Sequence, residues 1–256
     1  MDANTIKQYI KAGIIKGYKE HLQLISSYSE FVDAIREYLL TVNVAQALLE
    51  WDKPYSYKIR IEYPVLNFFN NAFPSVKIEY TDIFNMELIS RELGHAPTKS
   101  YHQKLDIAIV EEQSRGFANN ERSLVGIELK AINVSEAIFI KDIHRLVKAM
   151  SITDRIDSNS IKFCFGAFLK RLDQNTELIT AATIKERNDK QHIHWTEICN
   201  NLNATYPFLN FDTELFEIAN TPYENVASRF ESSDDYSEVA NETGSISGCI
   251  ISIARK

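Results

Sequence analysis

The sequence predicts an α/β protein in which helices flank a β-sheet, and three observations support this class. Apolar side chains recur at helical spacing between residues 5 and 50. Two segments rich in β-branched residues, 104–110 and 123–132, indicate strands joined by a hairpin loop. Residues 135–150 then have the pattern of an amphipathic helix, and an apolar run at 161–169 indicates a further strand. Strands and helices that follow one another in this way are typical of α/β domains.

Composition limits the class of protein further. The chain has 256 residues, enough for one substantial hydrophobic core, and its 45% hydrophobic and 25% charged residues are typical of a globular protein. No run approaches the roughly 18 to 20 apolar residues of a membrane-spanning helix, and no secretory signal is evident at the N-terminus. The three cysteines are widely spaced and form no CxxC pair, which indicates free thiols in a reducing compartment. We therefore expect a soluble, cytoplasmic protein with no membrane partner.

Residues 1–50 are predicted to form an N-terminal helical segment, and residues 51–256 the main domain. Gly13 and Gly17 interrupt the apolar pattern of the first part, so we expect two or three helices there rather than one. The aromatic-rich stretch that follows contains Pro64, at which a helix either begins or is kinked.

The remaining elements follow from apolar patterning. The β-branched segment 75–84 indicates a strand, and the segment 248–255 a terminal strand. Residues 171–245 show no clear pattern. In the helix predicted over 135–150, Ser135 is the expected N-cap. One face of that helix is apolar and consists of Phe139, Ile143, Leu146, Val147 and Met150.

Acidic residues are concentrated in one late segment, 212–243. Its charge is −8 because it holds nine acids and one base, so the rest of the chain carries +1 although the total is −7. A solvated loop and helix face is the simpler interpretation, and a surface that docks a partner or repels nucleic acid is the alternative. The nine acids are Asp212, Glu214, Glu217, Glu224, Glu231, Asp234, Asp235, Glu238 and Glu242.

Two of the predicted strands carry ionisable side chains on one face. Because side chains alternate between the faces of a strand, Glu128 and Lys130 point to the same side. Asp106 has the corresponding position in the preceding strand, so pairing of the two strands would bring the three charged side chains together. The opposite faces are apolar and are expected to meet the core: Leu105, Ile107, Ile109, Val125, Ile127, Leu129 and Ala131.

Two neighbouring carboxylates and a lysine are suited to phosphodiester chemistry. Carboxylates that repel one another are stabilised by Mg²⁺ or Mn²⁺, which prefer oxygen ligands. Asp106 and Glu128 would hold the ion, with the backbone carbonyl of Leu129 as a third ligand. The ion would activate a water molecule and neutralise charge on the phosphorus, and Lys130 would orient or help to activate that water.

The pattern D-(x21)-E-x-K, followed by an amphipathic helix and a buried strand, resembles the PD-(D/E)XK nuclease superfamily. The matching residues are Asp106, Glu128 and Lys130, and the resemblance covers about residues 55–170. Leu105 stands where the family often has proline. The resemblance implies a restriction-endonuclease-like fold with a mixed sheet and an α-β-β-β-α-β core. It also implies an Mg²⁺-dependent endonuclease that hydrolyses phosphodiester bonds in DNA, with a role in restriction or anti-phage defence.

The resemblance suggests further site residues. Family members often add a glutamate from the helix before the first core strand, and Glu62 is the natural candidate for this extra metal ligand, with Glu50 as a weaker substitute. Lys104, on the first of the two strands, and Arg145, on the following helix, are candidates to contact a nucleic-acid phosphate. The alternatives are local charge balancing for Lys104 and a solvated helix face for Arg145 and Asp142.

The nearly neutral body predicts weak binding to free DNA, so a homodimer or a partner protein is expected to supply affinity. The pattern leaves RNA open as a substrate. The main alternative to catalysis is an inactive nuclease-fold subunit that binds a partner through residues 1–50 or 212–243. A third interpretation is an exposed hairpin whose charges form an ordinary ion-pair cluster.

Overall fold

The structure, a computed structural model, describes residues 1–27, 37–53, 55–72, 103–112, 121–151, 160–172, 179–222 and 244–256. The helices in these ranges are α1 (Ala3–Ser27), α2 (Glu37–Trp51), α3 (Val65–Asn70), α4 (Glu136–Ser151) and α5 (Ala181–Thr205). The strands are β1 (Lys58–Pro64), β2 (Lys104–Glu112), β3 (Glu121–Ile132), β4 (Phe163–Leu172), β5 (Leu209–Thr221) and β6 (Gly244–Arg255).

The six strands form one mixed sheet in the order β1-β2-β3-β4-β6-β5. Neighbouring strands are antiparallel except β3 and β4, which are parallel. A parallel pair needs a crossover connection, and α4 lies in that connection. The prediction of an α/β fold with a mixed sheet and flanking helices is confirmed.

Hydrophobic clusters cover both faces of the sheet. On one face, α1 and α2 pack against the strands through buried residues that include Ile10, Ile14, Val44, Leu48, Ile127 and Phe165. On the other face, α3, α4 and α5 pack through buried residues that include Phe68, Ala108, Phe139, Ile143, Phe168 and Trp195. A charged side chain in the middle of a sheet covered in this way is removed from water.

The described part of the first 50 residues has two helices, α1 and α2, which agrees with the predicted two or three, but Gly13 and Gly17 do not interrupt α1 as predicted. The helix runs without a break through both glycines. A Cβ atom on Gly13 would lie 2.5 Å from the Cα atom of Val44, far inside the distance at which carbon atoms are in favourable contact. The missing side chain therefore lets α1 and α2 pack closely, and the apolar pattern is interrupted for packing rather than to end a helix.

The segment around Pro64 forms a strand followed by a short helix. β1 ends at Pro64 and α3 begins at the next residue, which agrees with the alternative of a helix that begins there. Glu62 lies in β1, so its predicted position on a helix before the first strand is wrong. The cause is the alternation of apolar and charged residues in β1, which has the period of a strand. The strand predicted at 75–84 lies outside the described residues.

Most of the other predicted elements are present. β2, β3 and β6 contain the predicted strand segments, and β4 begins at Phe163, two residues after its predicted start. α4 buries all five residues of the predicted apolar face. The Ser135 hydroxyl accepts a hydrogen bond from the Ile138 N–H at 3.4 Å, as an N-cap does. α5 and β5, within the stretch that showed no clear pattern, were not predicted. α5 buries few of its residues, so its apolar pattern is weak: Ile184, Trp195, Cys199 and Leu202.

Part of the acidic segment is paired within the chain. Asp212 and Glu214 lie in β5, and the Lys7 Nζ of α1 contacts both carboxylates, at 3.2 and 3.4 Å. Lys11 also contacts Glu214, at 3.0 Å. These two acids therefore join α1 to the edge of the sheet. Residues 223–243, with the remaining acids after Glu217, lie outside the described residues.

All three cysteines are free and buried. Burial raises the pKa of Cys164, Cys199 and Cys249 to about 12, so their thiols stay protonated and unreactive near neutral pH. None of the helices in the described ranges combines the length and the hydrophobicity needed to cross a bilayer.

Candidate functional site

Asp106 lies where β2 and β3 separate. The paired register of the two strands begins at Ile107, opposite Ile127, and Asp106 lies just beyond it. The Oδ2 atom of Asp106 accepts a hydrogen bond from the Leu129 N–H at 2.6 Å. The carboxylate thus reaches across to β3 between Glu128 and Lys130. Burial raises the pKa of Asp106, and the hydrogen bond from Leu129 opposes this rise.

The pleat of β2 is irregular beside this point. Leu105 was predicted to share a face with Ile107, but it packs in the cluster on the opposite face, near Gly126. In the pairing of β1 with β2, Glu62 lies between the residues that pair with Leu105 and Ile107, and so opposite Asp106. Glu62 has a φ of 53°, which is outside the range of a regular strand. The predicted alternation therefore fails at Leu105, although it holds in β3.

Glu128 is the most deeply buried charged residue of the cluster, with 1% of its surface exposed. Its side chain points towards α4, where its Oε1 atom lies 2.6 Å from the Nη2 atom of Arg145. The angles of this contact are not those of a hydrogen bond, and Oε1 accepts none. Burial raises the pKa of Glu128 well above its ordinary value; the charge of Arg145 opposes this rise, and repulsion from Asp106 and Asp142 adds to it.

Lys130 lies between two further carboxylates. Its Nζ atom is 2.9 Å from the Oε1 atom of Glu37 and 3.6 Å from the Oδ2 atom of Asp142. Burial alone would lower the pKa of Lys130, but the hydrogen bond to Glu37 and the charges of Asp106, Glu37 and Asp142 raise it. The side chain is therefore protonated at neutral pH.

Asp142 and Arg145 complete the cluster from α4. Asp142 is 8% exposed, and its Oδ1 atom accepts a hydrogen bond from Arg145 Nη2 at 2.8 Å. The interpretation of these residues as a solvated helix face is therefore wrong. The proposed contact of Arg145 with a phosphate stays a prediction, and in this structure the guanidinium lies between Glu128 and Asp142.

Sequence reasoning missed Glu37 and Asp142 as members of the site. A signal for Asp142 was present, because it lies three residues after Phe139 and four before Leu146, on the apolar stripe of its helix. An acid on a buried stripe needs a partner. Glu37 gave no such signal, because it begins α2 and is 93 residues from Lys130 in the chain.

Glu62 and Lys104, the remaining predicted site residues, pair with each other. Lys104 Nζ lies 2.9 Å from Glu62 Oε2, and both side chains are about half exposed. The structure therefore places them in an ion pair near the edge of the sheet, which matches the alternative of local charge balancing for Lys104. Glu50 is exposed at the end of α2. Their roles towards metal or phosphate stay predictions.

The cluster as a whole carries excess negative charge. Four carboxylates face two cations: Glu37, Asp106, Glu128 and Asp142 against Lys130 and Arg145. In the described part of the chain, no group of three or more His, Cys, Asp or Glu side chains has the arrangement of a metal site. An excess of negative charge at a site partly removed from water is nevertheless relieved by protonation or by a bound cation.

The metal-free protein is expected to lose stability as the pH rises above 4.5, the ordinary value for glutamate, because folding raises the pKa of Glu128. The folded protein binds this proton more tightly than the unfolded chain. The contribution of Glu128 to the free energy of unfolding is therefore fully present below the ordinary glutamate pKa and is lost as the pH rises through the raised pKa of the folded protein. Urea unfolding between about pH 4 and about pH 8 measures the effect. Glu128→Gln should flatten the pH dependence of the free energy of unfolding, whereas the exposed control Glu62→Gln should not. An equal pH dependence of the free energy of unfolding in wild type, Glu128→Gln and Glu62→Gln would contradict the prediction.

No family model, characterised protein or solved structure matches the chain.

Proposed function

We propose that the protein is a metal-dependent nuclease that hydrolyses phosphodiester bonds, with DNA as its expected substrate. The observation that supports this most strongly is the convergence of Asp106, Glu128 and Lys130 where β2 and β3 separate. A buried and a partly buried carboxylate beside a protonated lysine are unfavourable as a purely structural feature, because desolvation of charge costs free energy. The same arrangement is useful in a site that binds a cation and a phosphate.

The topology also supports a restriction-endonuclease-like core. An α-β-β-β-α-β core would correspond to α2, β1, β2, β3, α4 and β4, so its first helix would lie before residue 55, where the resemblance was predicted to begin. The first three strands are consecutive and antiparallel, and β4 returns parallel to β3 after α4. β5 and β6 would then extend the sheet beyond this core.

Asp106 and Glu128 are the residues that would hold Mg²⁺ or Mn²⁺. The Oε1 atom of Glu128 is buried and accepts no hydrogen bond, so it retains electron pairs for a cation. Carboxylate oxygens are also the ligands that these ions prefer. The backbone carbonyl of Leu129 would be a further ligand of the ion, as predicted from the sequence. When bound, a divalent cation would lower the pKa of a water molecule and neutralise charge that develops on the phosphate.

Lys130 would act as a proton-bearing cation and not as a base. Its raised pKa keeps the ammonium group charged at neutral pH. In that state Lys130 donates hydrogen bonds, which suits it to orient the attacking water and to stabilise a phosphate oxygen in the transition state. Asp106, held by the Leu129 N–H, fixes the position of β2 relative to this lysine.

A different observation favours a second function, an inactive nuclease-fold subunit that binds a partner. Glu128 has Arg145 as a counter-ion and Lys130 is paired with Glu37, so each of these two charges has a partner of opposite charge within the chain. In such a protein the cluster would serve only to join α2 and α4 to the sheet. The two functions differ in whether a divalent cation binds in a manner that depends on Asp106.

Cleavage of plasmid DNA, single-stranded DNA and RNA in the presence of Mg²⁺ tests the proposed function. Wild type is expected to cleave at least DNA, and Glu128→Ala is expected to lose the activity. Glu136→Ala is the matched control, because Glu136 is an exposed glutamate on α4. Equal cleavage by wild type and Glu128→Ala would assign the activity to another site or a contaminant. No cleavage of any substrate with Mg²⁺ or Mn²⁺ would favour the inactive subunit.

A further inference from the structure

One nitrogen atom of Arg145 lies between two buried carboxylates from different elements. Its Nη2 atom is 2.6 Å from Oε1 of Glu128 in β3 and 2.8 Å from Oδ1 of Asp142 in α4. The two oxygens are therefore no further apart than the sum of these distances. A single small cation in the position of Nη2 would contact both of them.

The pairing with Arg145 leaves both carboxylates incompletely satisfied. Oε1 of Glu128 and Oδ2 of Asp142 are fully buried and accept no hydrogen bond, and the buried Nε of Arg145 donates none. An arginine that is built to hold a carboxylate usually donates two parallel hydrogen bonds to it. The contact with Glu128 has the distance of an ion pair but not the geometry of a hydrogen bond.

The position of Asp142 within its helix also points to a ligand. Asp142 lies beyond the first turn of α4, so the N-terminal end of the helix does not stabilise its charge. It is 8% exposed, on the stripe that packs against the sheet. A carboxylate at such a position destabilises the fold unless a partner neutralises it. Lys130, at 3.6 Å, and Arg145 neutralise it only in part.

We infer that Arg145 holds the place of the divalent cation in the metal-free protein, and that Asp142 becomes a third carboxylate ligand when the ion replaces the guanidinium. This inference rests on the proposed function, since it takes the ion to be the one that Asp106 and Glu128 would hold. Mg²⁺ binds oxygen at about 2.0–2.1 Å, so an ion in place of Nη2 would ligate Oε1 of Glu128, which accepts no hydrogen bond, together with Oδ1 of Asp142. The released guanidinium would then be free to contact a phosphate.

Titration of Mn²⁺ into the full chain by calorimetry tests this exchange. Arg145→Met removes the competing cation and is expected to tighten Mn²⁺ binding by about tenfold, within the range of typical coupling between sites. Asp142→Asn removes a ligand and is expected to weaken binding by about 10- to 100-fold. Arg60→Met is the matched control, because Arg60 also pairs with a glutamate of β3, Glu121, and should leave the affinity unchanged.

The outcomes separate this inference from the proposed function. Binding that depends on Asp106 but is indifferent to Arg145→Met and Asp142→Asn would overturn the exchange and leave the nuclease proposal standing. No Mn²⁺ binding by either wild type or Arg145→Met would contradict both. Mn²⁺ binding that is tighter in Arg145→Met and weaker in Asp142→Asn than in wild type would support the exchange. If Arg145→Met does not fold, the Mn²⁺ affinity of Asp142→Asn tests the inference by itself. An affinity equal to that of wild type would overturn the inference.

Discussion

Replacement of Lys130 by methionine is expected to reduce Mg²⁺-dependent cleavage by about 10²- to 10³-fold, the loss typical for one donor to a transition-state oxygen. Methionine keeps much of the apolar stem, so packing between Glu37 and Asp142 is disturbed least. The loss should appear in kcat, because the lysine interacts with charge that develops only during the reaction. Initial cleavage rates at saturating substrate measure it, and thermal unfolding verifies that the variant is folded.

Lys104→Met is the matched control for Lys130→Met. Lys104 lies on the neighbouring strand, pairs with Glu62 and is about half exposed. If it contacts a phosphate of the substrate, its loss raises KM and leaves kcat unchanged. An equal loss of kcat in both variants would mean that total positive charge matters and not the position of Lys130. An unchanged kcat in Lys130→Met would remove Lys130 from the mechanism.

Gly13→Ala is expected to lower the free energy of unfolding by about 1–3 kcal/mol, the range for an overpacked core. The added Cβ would lie 2.5 Å from Cα and 2.8 Å from N of Val44. These are backbone atoms, so relief requires α2 to move away from α1 as a whole. Alanine is a better helix former than glycine by about 1 kcal/mol, and this gain offsets only part of the loss. Urea unfolding of wild type and variant measures the difference.

Gly17→Ala is the control for this prediction, one turn further along the same helix. Its Cβ would lie 3.2 Å from the Cδ2 atom of Leu40, the end of a flexible side chain. A small rotation of Leu40 relieves that contact, so the helix-forming gain should make Gly17→Ala neutral or slightly stabilising. Equal destabilisation by both substitutions would show that the close approach at Val44 is not the cause.

The charged face of β3 could be predicted because it depends on local geometry alone. The period of a strand places Glu128 and Lys130 together whatever the strand packs against. The buried apolar face of α4 followed for the same reason, since helical periodicity is a local property. Pairing of β2 with β3 was also predictable, because strands joined by a hairpin are usually neighbours.

The partners of these charges could not be predicted from local patterns. Glu37 reaches Lys130 because α1 and α2 pack over one face of the sheet, and no local pattern specifies that packing. Leu105 changes face because the pleat is irregular opposite Glu62, and a positive φ at a glutamate has no signal in the sequence. Asp142 was visible on the buried stripe of α4 but was interpreted as solvated.

The glycines of α1 show a second limit of prediction from sequence patterns. A glycine in an apolar helical segment indicates either a break or a close approach, and the sequence pattern is the same for both. Only the position of Val44 on the facing helix decides between them.

Mn²⁺ titration of wild type and Asp106→Asn tests most directly whether Asp106 and Glu128 hold a divalent cation. Asparagine can still accept the hydrogen bond from the Leu129 N–H, so the substitution removes the charge while the link between β2 and β3 is kept. Wild type and the control Glu136→Gln, at an exposed glutamate of α4, are expected to bind one Mn²⁺ per chain, and Asp106→Asn none. Equal binding by wild type and Asp106→Asn, or no binding by any of the three, would contradict the proposed metal site.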